Sequence, residues 1–452
     1  MLHDSVTQQL AHIRVVQDAT NAFSCLASPE NIDAQVDAAL AADKVQESSP
    51  LMGALVSIKD SFHVPGLPRW HGSASHPGDI SQTESTPVRR LREAGAIIVG
   101  KTTMPDYGLI ASGVSSQFGI TRNPWDLSAS PGGSSSGAGA AVAAGATRYA
   151  LGTDIAGSVR LPAAHCGISA LKPTQGALAY APASTWRSAG PMAPTIAEVR
   201  QLFGVVAHPD PADQLSRELP GGSRSGTSQS ADAAGTHPRG SFHGLRVGVL
   251  EWPGYGPRMD STTASLFRST VDLLAADGAE LTPLTPGITE ADFRALDRCL
   301  MARCLAELAG CTAERRDALL PAVRDWAGPG AQLTAAEYVR DFEHLSSVAS
   351  RLNSEFSHFD LIISPVMGEH SFPATDFGPD TTAPLLFHTN YTAWFNQTGQ
   401  PAVALPMGLS AAGHPVGVQL AGRLGADIGL LDHAQQLEAL LDLRLSYPDL
   451  RG

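Results

Sequence analysis

Two sets of serines held between glycines are the residues in this chain best placed to do chemistry. Between Pro131 and Thr174 the sequence reads PGGSSSGAGAAVAAGATRYALGTDIAGSVRLPAAHCGISALKPT. Glycines bracket Ser134, Ser135 and Ser136, and again Ser158, with small apolar residues filling the interval. Backbone this free of side chains can approach a ligand closely and adopt positive φ without penalty. Serines on such backbone are placed like reactive groups, and a hydroxyl becomes a useful nucleophile only when a base withdraws its proton. The chemistry on offer is nucleophilic, and the open question is whether one of these serines is a nucleophile and, if so, what activates it.

Two familiar patterns elsewhere in the chain fail on mechanism. Gly95 to Thr102 reads GAIIVGKT and satisfies the phosphate-loop spacing. A phosphate cradle is a loop of free backbone N–H groups opening a helix, whereas Ala96 to Val99 is a continuous β-former whose N–H groups belong in a sheet. Gly133 to Gly137 satisfies the nucleophile elbow with Ser135 at its centre. That elbow needs a strong strand directly before it, and Asn123 to Pro131 reads as a loop.

The elements that must position these serines alternate between strand and helix. Residues 4 to about 45 read as helices with polar loops around Pro29. Ala54 to Ile58 is a short apolar run ending at Lys59, a buried strand, and Ala96 to Val99 is another. Thr86 to Ala94 has a helical pattern with Pro87 in its first turn, and Ala138 to Ala146 is a small-residue helix. The alternation continues to about residue 205 and implies an α/β sheet covered on both faces. Residues 208–243, rich in Pro, Gly, Ser and Asp, read as a low-complexity loop insertion or a poorly ordered segment. A strand at 245–250, a helix near 262–277, a largely helical stretch over 290–358 and strands at 361–364 and 402–405 follow. The whole, residues 1–452, reads as one domain.

Composition narrows the class. Hydrophobic residues at 43% with 17% charged are ample for a large core. A net charge of −13 argues against nucleic acid and anionic membrane as partners. Five cysteines show no metal-like spacing and read as reduced, mostly buried thiols. No segment reaches the roughly 18 apolar residues that a span requires, and the expected location is cytoplasmic.

From Gly132 to Thr174 the sequence closely resembles the amidase signature family of Ser-Ser-Lys amide hydrolases. The resemblance extends to Val56-Ser57-Ile58-Lys59-Asp60, to Thr121-Arg122-Asn123-Pro124-Trp125-Asp126, to Phe395-Asn396-Gln397-Thr398-Gly399-Gln400-Pro401 and to Pro415-Val416-Gly417-Val418-Gln419-Leu420. It covers about residues 5–205 and 245–440. It implies a single large α/β domain with a twisted mixed β-sheet covered by helices on both faces. Carried over residue by residue, it makes Ser158 the nucleophile, Ser134 a bridging serine after a cis peptide bond, and Lys59 the base. A lysine can be a base only when neutral, and the apolar run before Lys59 supplies the burial that this needs. The resemblance further implies an oxyanion hole from the N–H groups of Ile155, Ala156, Gly157 and Ser158, with Ser135 and Asp154 in support. No metal or organic cofactor is called for.

The implied activity is hydrolysis of a linear, non-peptide carboxylic amide. The implied partners are that small amide and a second copy of the chain, without nucleic acid or membrane. Two other readings compete. A glutamine-dependent amidotransferase subunit would need partner chains and an ammonia tunnel, and the residues around the lysine loop depart from it. A non-catalytic scaffold would not need to retain Lys59, Ser134 and Ser158. The departures cluster at Arg69-Trp70-His71, where relatives carry small threonine-like residues. Trp70 and His71 are expected to shape the acyl-side pocket and Arg69 to offer a cation to the substrate, with Arg187 in the same region.

Overall fold

Alternation of bulky and small residues along the central strands decides which helices each face of the sheet receives. The computed structural model describes residues 2–43, 49–180, 184–219 and 241–450. In chain order the strands of the main sheet are β1 (Phe23–Leu26), β2 (Leu55–Lys59), β3 (Ile97–Thr102), β4 (Tyr149–Asp154), β5 (Ser169–Lys172) and β6 (Ser188–Ala193). They continue as β7 (Arg246–Val249), β8 (Glu280–Pro283), β9 (Leu361–Pro365), β10 (Ala402–Leu409) and β11 (Pro415–Gly422). Their order across the sheet is β1-β3-β2-β4-β6-β5-β10-β11-β9-β7-β8. The pairs β3–β2, β2–β4, β9–β7 and β7–β8 are parallel and the remainder antiparallel, which makes the sheet mixed.

The helices are α1 (Leu2–Thr20), α2 (Pro29–Asp43), α3 (Thr86–Glu93), α4 (Ser136–Ala143), α5 (Arg160–Cys166), α6 (Ile196–Val206) and α7 (Ser261–Ala276). After them come α8 (Glu290–Glu307), α9 (Ala313–Asp317), α10 (Pro321–Ala327), α11 (Ala335–Phe356), α12 (Ala393–Gln397) and α13 (Asp427–Leu441). Tyr149, Leu151, Leu171, Val403 and Leu405 point to one face, where they bury against Leu202 and Phe203 of α6, Phe267 of α7 and Leu431 of α13. Ala150, Ala170 and Ala404 point to the other, against Ala138 and Val142 of α4 and Ala163 and Cys166 of α5. Methyl groups on that second face let α4 and α5 lie close to the strand ends, and both helices begin just beyond the two serine sites.

This is the single large α/β domain expected. Two local readings change. Phe23–Leu26 lies within a stretch read as helical, yet it is an edge strand antiparallel to β3, and four residues carry too short a pattern to tell strand from helix. Pro29 opens α2 instead of marking a loop, because the first helical turn does not need its missing N–H. Most of the expected 208–243 insertion, residues 220–240, lies outside the described residues. The five cysteines are free, three buried and two partly so.

The Gly95 to Thr102 pattern falls largely within β3, between β1 and β2, so its backbone is committed to the sheet. Its Lys101 is fully buried, 2.8 Å from the Asp60 carboxylate, and also donates to the Pro68 carbonyl. Asp60 in turn accepts from the N–H groups of Trp70 and Gly72. The lysine of the misleading motif therefore anchors the loop carrying Arg69, Trp70 and His71.

Candidate active site

The parallel pairing of β2 with β4, Ile58 beside Leu151, brings the carboxyl ends of two strands together. Sites in α/β sheets form at such ends. Val56 and Ile58 face the bulky core, so Lys59 emerges on the opposite side, toward the start of α4. It is 0% exposed, and its Nζ stands 2.8 Å from Ser134 Oγ and 2.9 Å from Thr153 Oγ1. Burial, and next the charge of Arg187, push its pKa well below the ordinary lysine value of 10.5, against an opposing pull from Asp154.

Ser134 follows a cis peptide bond from Gly133. A β-carbon at Gly133 would collide with the backbone of Ser112, so the tight approach demands glycine. The N–H of Ser135 donates to the Ser158 carbonyl at 3.0 Å, and its Oγ donates to the Thr153 carbonyl at 3.3 Å. Ser135 thus ties the two serine sites to each other and to β4. Ser158, 5% exposed, sits two residues before α5. Among the described residues no hydrogen bond joins its hydroxyl to Ser134, a looseness common before a substrate tightens such contacts.

Asp154 shapes the turn from β4 to Ser158. Its carboxylate is fully buried, paired with Arg160 at 2.9 Å, and accepts from the N–H groups of Gly157 at 2.8 Å and Val159 at 3.3 Å. Burial alone would raise its pKa, but the Arg160 charge and its hydrogen bonds hold it below the usual carboxylate range. Gly157 adopts φ +125°, and a β-carbon there would strike the Thr392 side chain, so no other residue fits. The Gly157 N–H is spent on Asp154, which removes it from the expected oxyanion donors. Those of Ile155, Ala156 and Ser158 carry no protein hydrogen bond among the described residues.

The pocket residues divide differently from expectation. Arg69 does not offer a free cation: its guanidinium donates to the Ser61 carbonyl and meets ring nitrogens of His71 and His76 at 3.2 and 3.3 Å. Trp70 packs edge-on against Phe118, 6.5 Å between ring centres. His71 is buried at φ +50° beside Tyr107 at φ +52°, with the Tyr107 N–H donating to the His71 carbonyl. Gly108, next in the chain, backs onto Ser134 Oγ, which places this pair of left-handed residues at the serine site. Burial, then the Arg69 charge, keep His71 neutral by pushing its pKa well below the ordinary imidazole value. Ser188 pairs with Asp154, so Arg187 lies beside Ile155 at the start of the turn that leads to Ser158.

Several neighbours of the site escape sequence reasoning. Thr153 braces the lysine. Arg160 is fully buried, and besides Asp154 it donates to the Thr392 carbonyl, Asn396 Oδ1 and Gln419 Oε1 at 2.7–3.0 Å. The signal was present: Arg160 directly follows Ser158-Val159, and Asn396 and Gln419 fall in the two C-terminal segments already singled out. Among the described residues no group of three or more His, Cys, Asp or Glu is arranged to hold a metal ion.

The sequence model of the family described as Amidase matches residues 4–431. The chain belongs to the amidase signature family. One amidase signature relative, the A-type subunit of glutamyl-tRNA(Gln) amidotransferase from Symbiobacterium thermophilum, is 32% identical over 457 residues, 94% of this chain and 90% of that one. The solved structure of 6-aminohexanoate cyclic dimer hydrolase matches with a TM-score of 0.85 at 26% identity, covering 100% of this chain and 95% of that one. A bacterial aryl acylamidase of the amidase signature family matches with a TM-score of 0.87 at 21% identity over the same shares, a likeness of fold. The chain is thus an enzyme of a family that holds both amide hydrolases and amidotransferases.

These relatives correct the expected partners. Several amidase signature relatives at 30–32% identity are named as one subunit of an amidotransferase for glutamyl-tRNA(Gln). The expectation of a small amide and a second copy as the sole partners, with nucleic acid excluded, does not survive that finding. Its physical basis was too narrow, since net charge bears on direct contact with a polyanion and says nothing about docking to other protein subunits. No helix among the described residues is long and apolar enough to cross a membrane.

Proposed function

We propose that this enzyme cleaves a carboxamide C–N bond through an acyl-enzyme on Ser158, with Ser134 relaying the proton and Lys59 as base. The observation that carries this reading is a lysine with no solvent exposure whose amine lies 2.8 Å from Ser134 Oγ. A neutral Lys59 has two N–H bonds for the hydroxyl and carbonyl of Thr153 and a lone pair for the Ser134 proton. As Ser158 attacks the carbonyl carbon, its proton passes to Ser134 and that of Ser134 to Lys59. The negative charge on the former carbonyl oxygen meets the N–H groups of Ile155, Ala156 and Ser158, each worth about 3–4 kcal/mol. The relay then runs backwards to protonate the departing nitrogen, and water repeats the cycle to release the acid.

The names of the curated relatives, each one subunit of an amidotransferase, support the second reading of the sequence, in which glutamine is the amide and partner chains take up the ammonia. The solved cyclic dimer hydrolase favours a free hydrolase. Ammonia release from a panel of linear amides and glutamine, by the chain alone and with co-expressed amidotransferase partners, separates them. Full turnover of a linear amide by the chain alone supports the hydrolase. Glutamine turnover that rises with the partners supports the amidotransferase setting. Release unaffected by Ser158→Ala overturns the shared chemistry.

A further inference from the structure

Beside the turn that carries Ser158, Arg187 is a positive charge that the proposed reaction does not use. Its guanidinium makes no hydrogen bond or ion pair among the described residues, although the residue is half-buried. The register Ser188 beside Asp154 puts it next to Ile155, and its charge acts on Lys59, His71 and Arg303 alike. Its charge thus reaches the buried lysine, the imidazole and α8. Arg303 of α8 approaches from the other side, its guanidinium 5.8 Å from the Trp186 ring centre and 3.3 Å from Ser184 Oγ. Trp186 belongs to the same buried apolar cluster as Ile155 and Ala156 and directly precedes Arg187.

A second observation comes from His71. Its Nδ1 faces Arg69 Nη2, a donor, so the neutral ring carries its proton on Nε2. That Nε2 is buried and has no hydrogen-bond partner among the described residues. A buried donor without an acceptor is costly, and a ligand acceptor would relieve it. Glu307 of α8, 40% exposed, brings a carboxylate oxygen within 4.0 Å of His71 Nδ1. Neither Arg187 nor Arg303 forms an ion pair with Glu307 among the described residues.

We propose that Arg187 and Arg303, with the Nε2–H of His71, form an anion subsite beside Ser158 that takes a carboxylate carried by the substrate. The preferred substrates are then half-amides of dicarboxylic acids and amides of like charge. The inference rests on the amide-cleaving reading above for its setting. Arginine suits the role because its planar fork matches a carboxylate with two parallel hydrogen bonds.

The test is calorimetric binding of glutaramate and of uncharged pentanamide to the Ser158→Ala protein, which holds both without turnover. Glutaramate should bind at least ~10-fold more tightly than pentanamide. Adding Arg187→Ala or Arg303→Ala should remove most of that advantage, and Arg187→Lys should keep part of it. Equal binding of the two amides, or an advantage untouched in both alanine variants, overturns the subsite. The parent reading is judged apart, by ammonia release from the unsubstituted enzyme. If no amide is turned over yet glutaramate binds through Arg187, the subsite stands and the proposed function falls.

Discussion

A lysine ammonium deprived of water loses most of what stabilises its charge, so Lys59 in its dry position is poised to be an amine. As the proposed base it works only unprotonated, so kcat/KM should climb with pH and level off below the ordinary lysine value of 10.5. Removing the charge of Arg187 relieves a repulsion that disfavours the ammonium, so Arg187→Gln should move that rise to higher pH. A pH–rate profile reads both, and an unmoved profile separates Arg187 from the base. Lys59→Met should lower kcat by ~10²–10⁴. At this scale the sequence was half legible. Ser134 and Ser158 stand out by their glycine neighbours. Lys59 lies 75 residues before Ser134, and only the family pattern pointed to it. Arg69 was expected as the cation ahead of Arg187, because a side chain's existing partners are not written in its neighbours along the chain.

The turn between β4 and α5 is the element that converts a strand end into a site. Asp154 and Arg160 hold it as a dry ion pair with every hydrogen bond made, so removing one partner strands the other. Asp154→Asn should cost about 3–5 kcal/mol, read as a fall in melting temperature, and the Asp154→Asn/Arg160→Met pair less than the sum of the single changes. Gly157→Ala should cost about 1–3 kcal/mol through its left-handed φ and the clash with Thr392, with activity falling further as the donors shift. Wild-type stability in either variant would contradict this view of the turn. The turn's role in presenting Ser158 was visible from its glycine and serine content. That Gly157 serves Asp154 and not an oxyanion was not, because only the fold decides which acceptor an N–H meets.

Across the whole molecule, one sheet delivers the site from both halves of the chain. The buried central strands were readable because strands covered on two faces appear as short apolar runs. Edge strands such as β1 and the mostly exposed β8 carry no such run, and the placement of β10 beside β5 is a long-range pairing that no local pattern encodes. That pairing has a consequence for activity. Gln419 on β11, 259 residues after Arg160, accepts from its guanidinium at 3.0 Å. Gln419→Ala should therefore cost about 1–3 kcal/mol and lower kcat although it touches no substrate. An unchanged kcat with lowered stability would confine Gln419 to the core. The correction on partners also belongs to this scale: a catalytic unit complete in its own sheet can still serve as one part of a larger enzyme, and composition does not reveal the surface that docks.

The central claim is that Ser158 is acylated with Lys59 as its base, and intact-mass spectrometry after incubation with a reactive fluorophosphonate tests it most directly. The account predicts one adduct on the unsubstituted enzyme, located at Ser158 by peptide mapping, none on Ser158→Ala, and strongly slowed labelling of Lys59→Ala at neutral pH. An adduct of equal yield on Ser158→Ala, or undiminished labelling of Lys59→Ala, would contradict it.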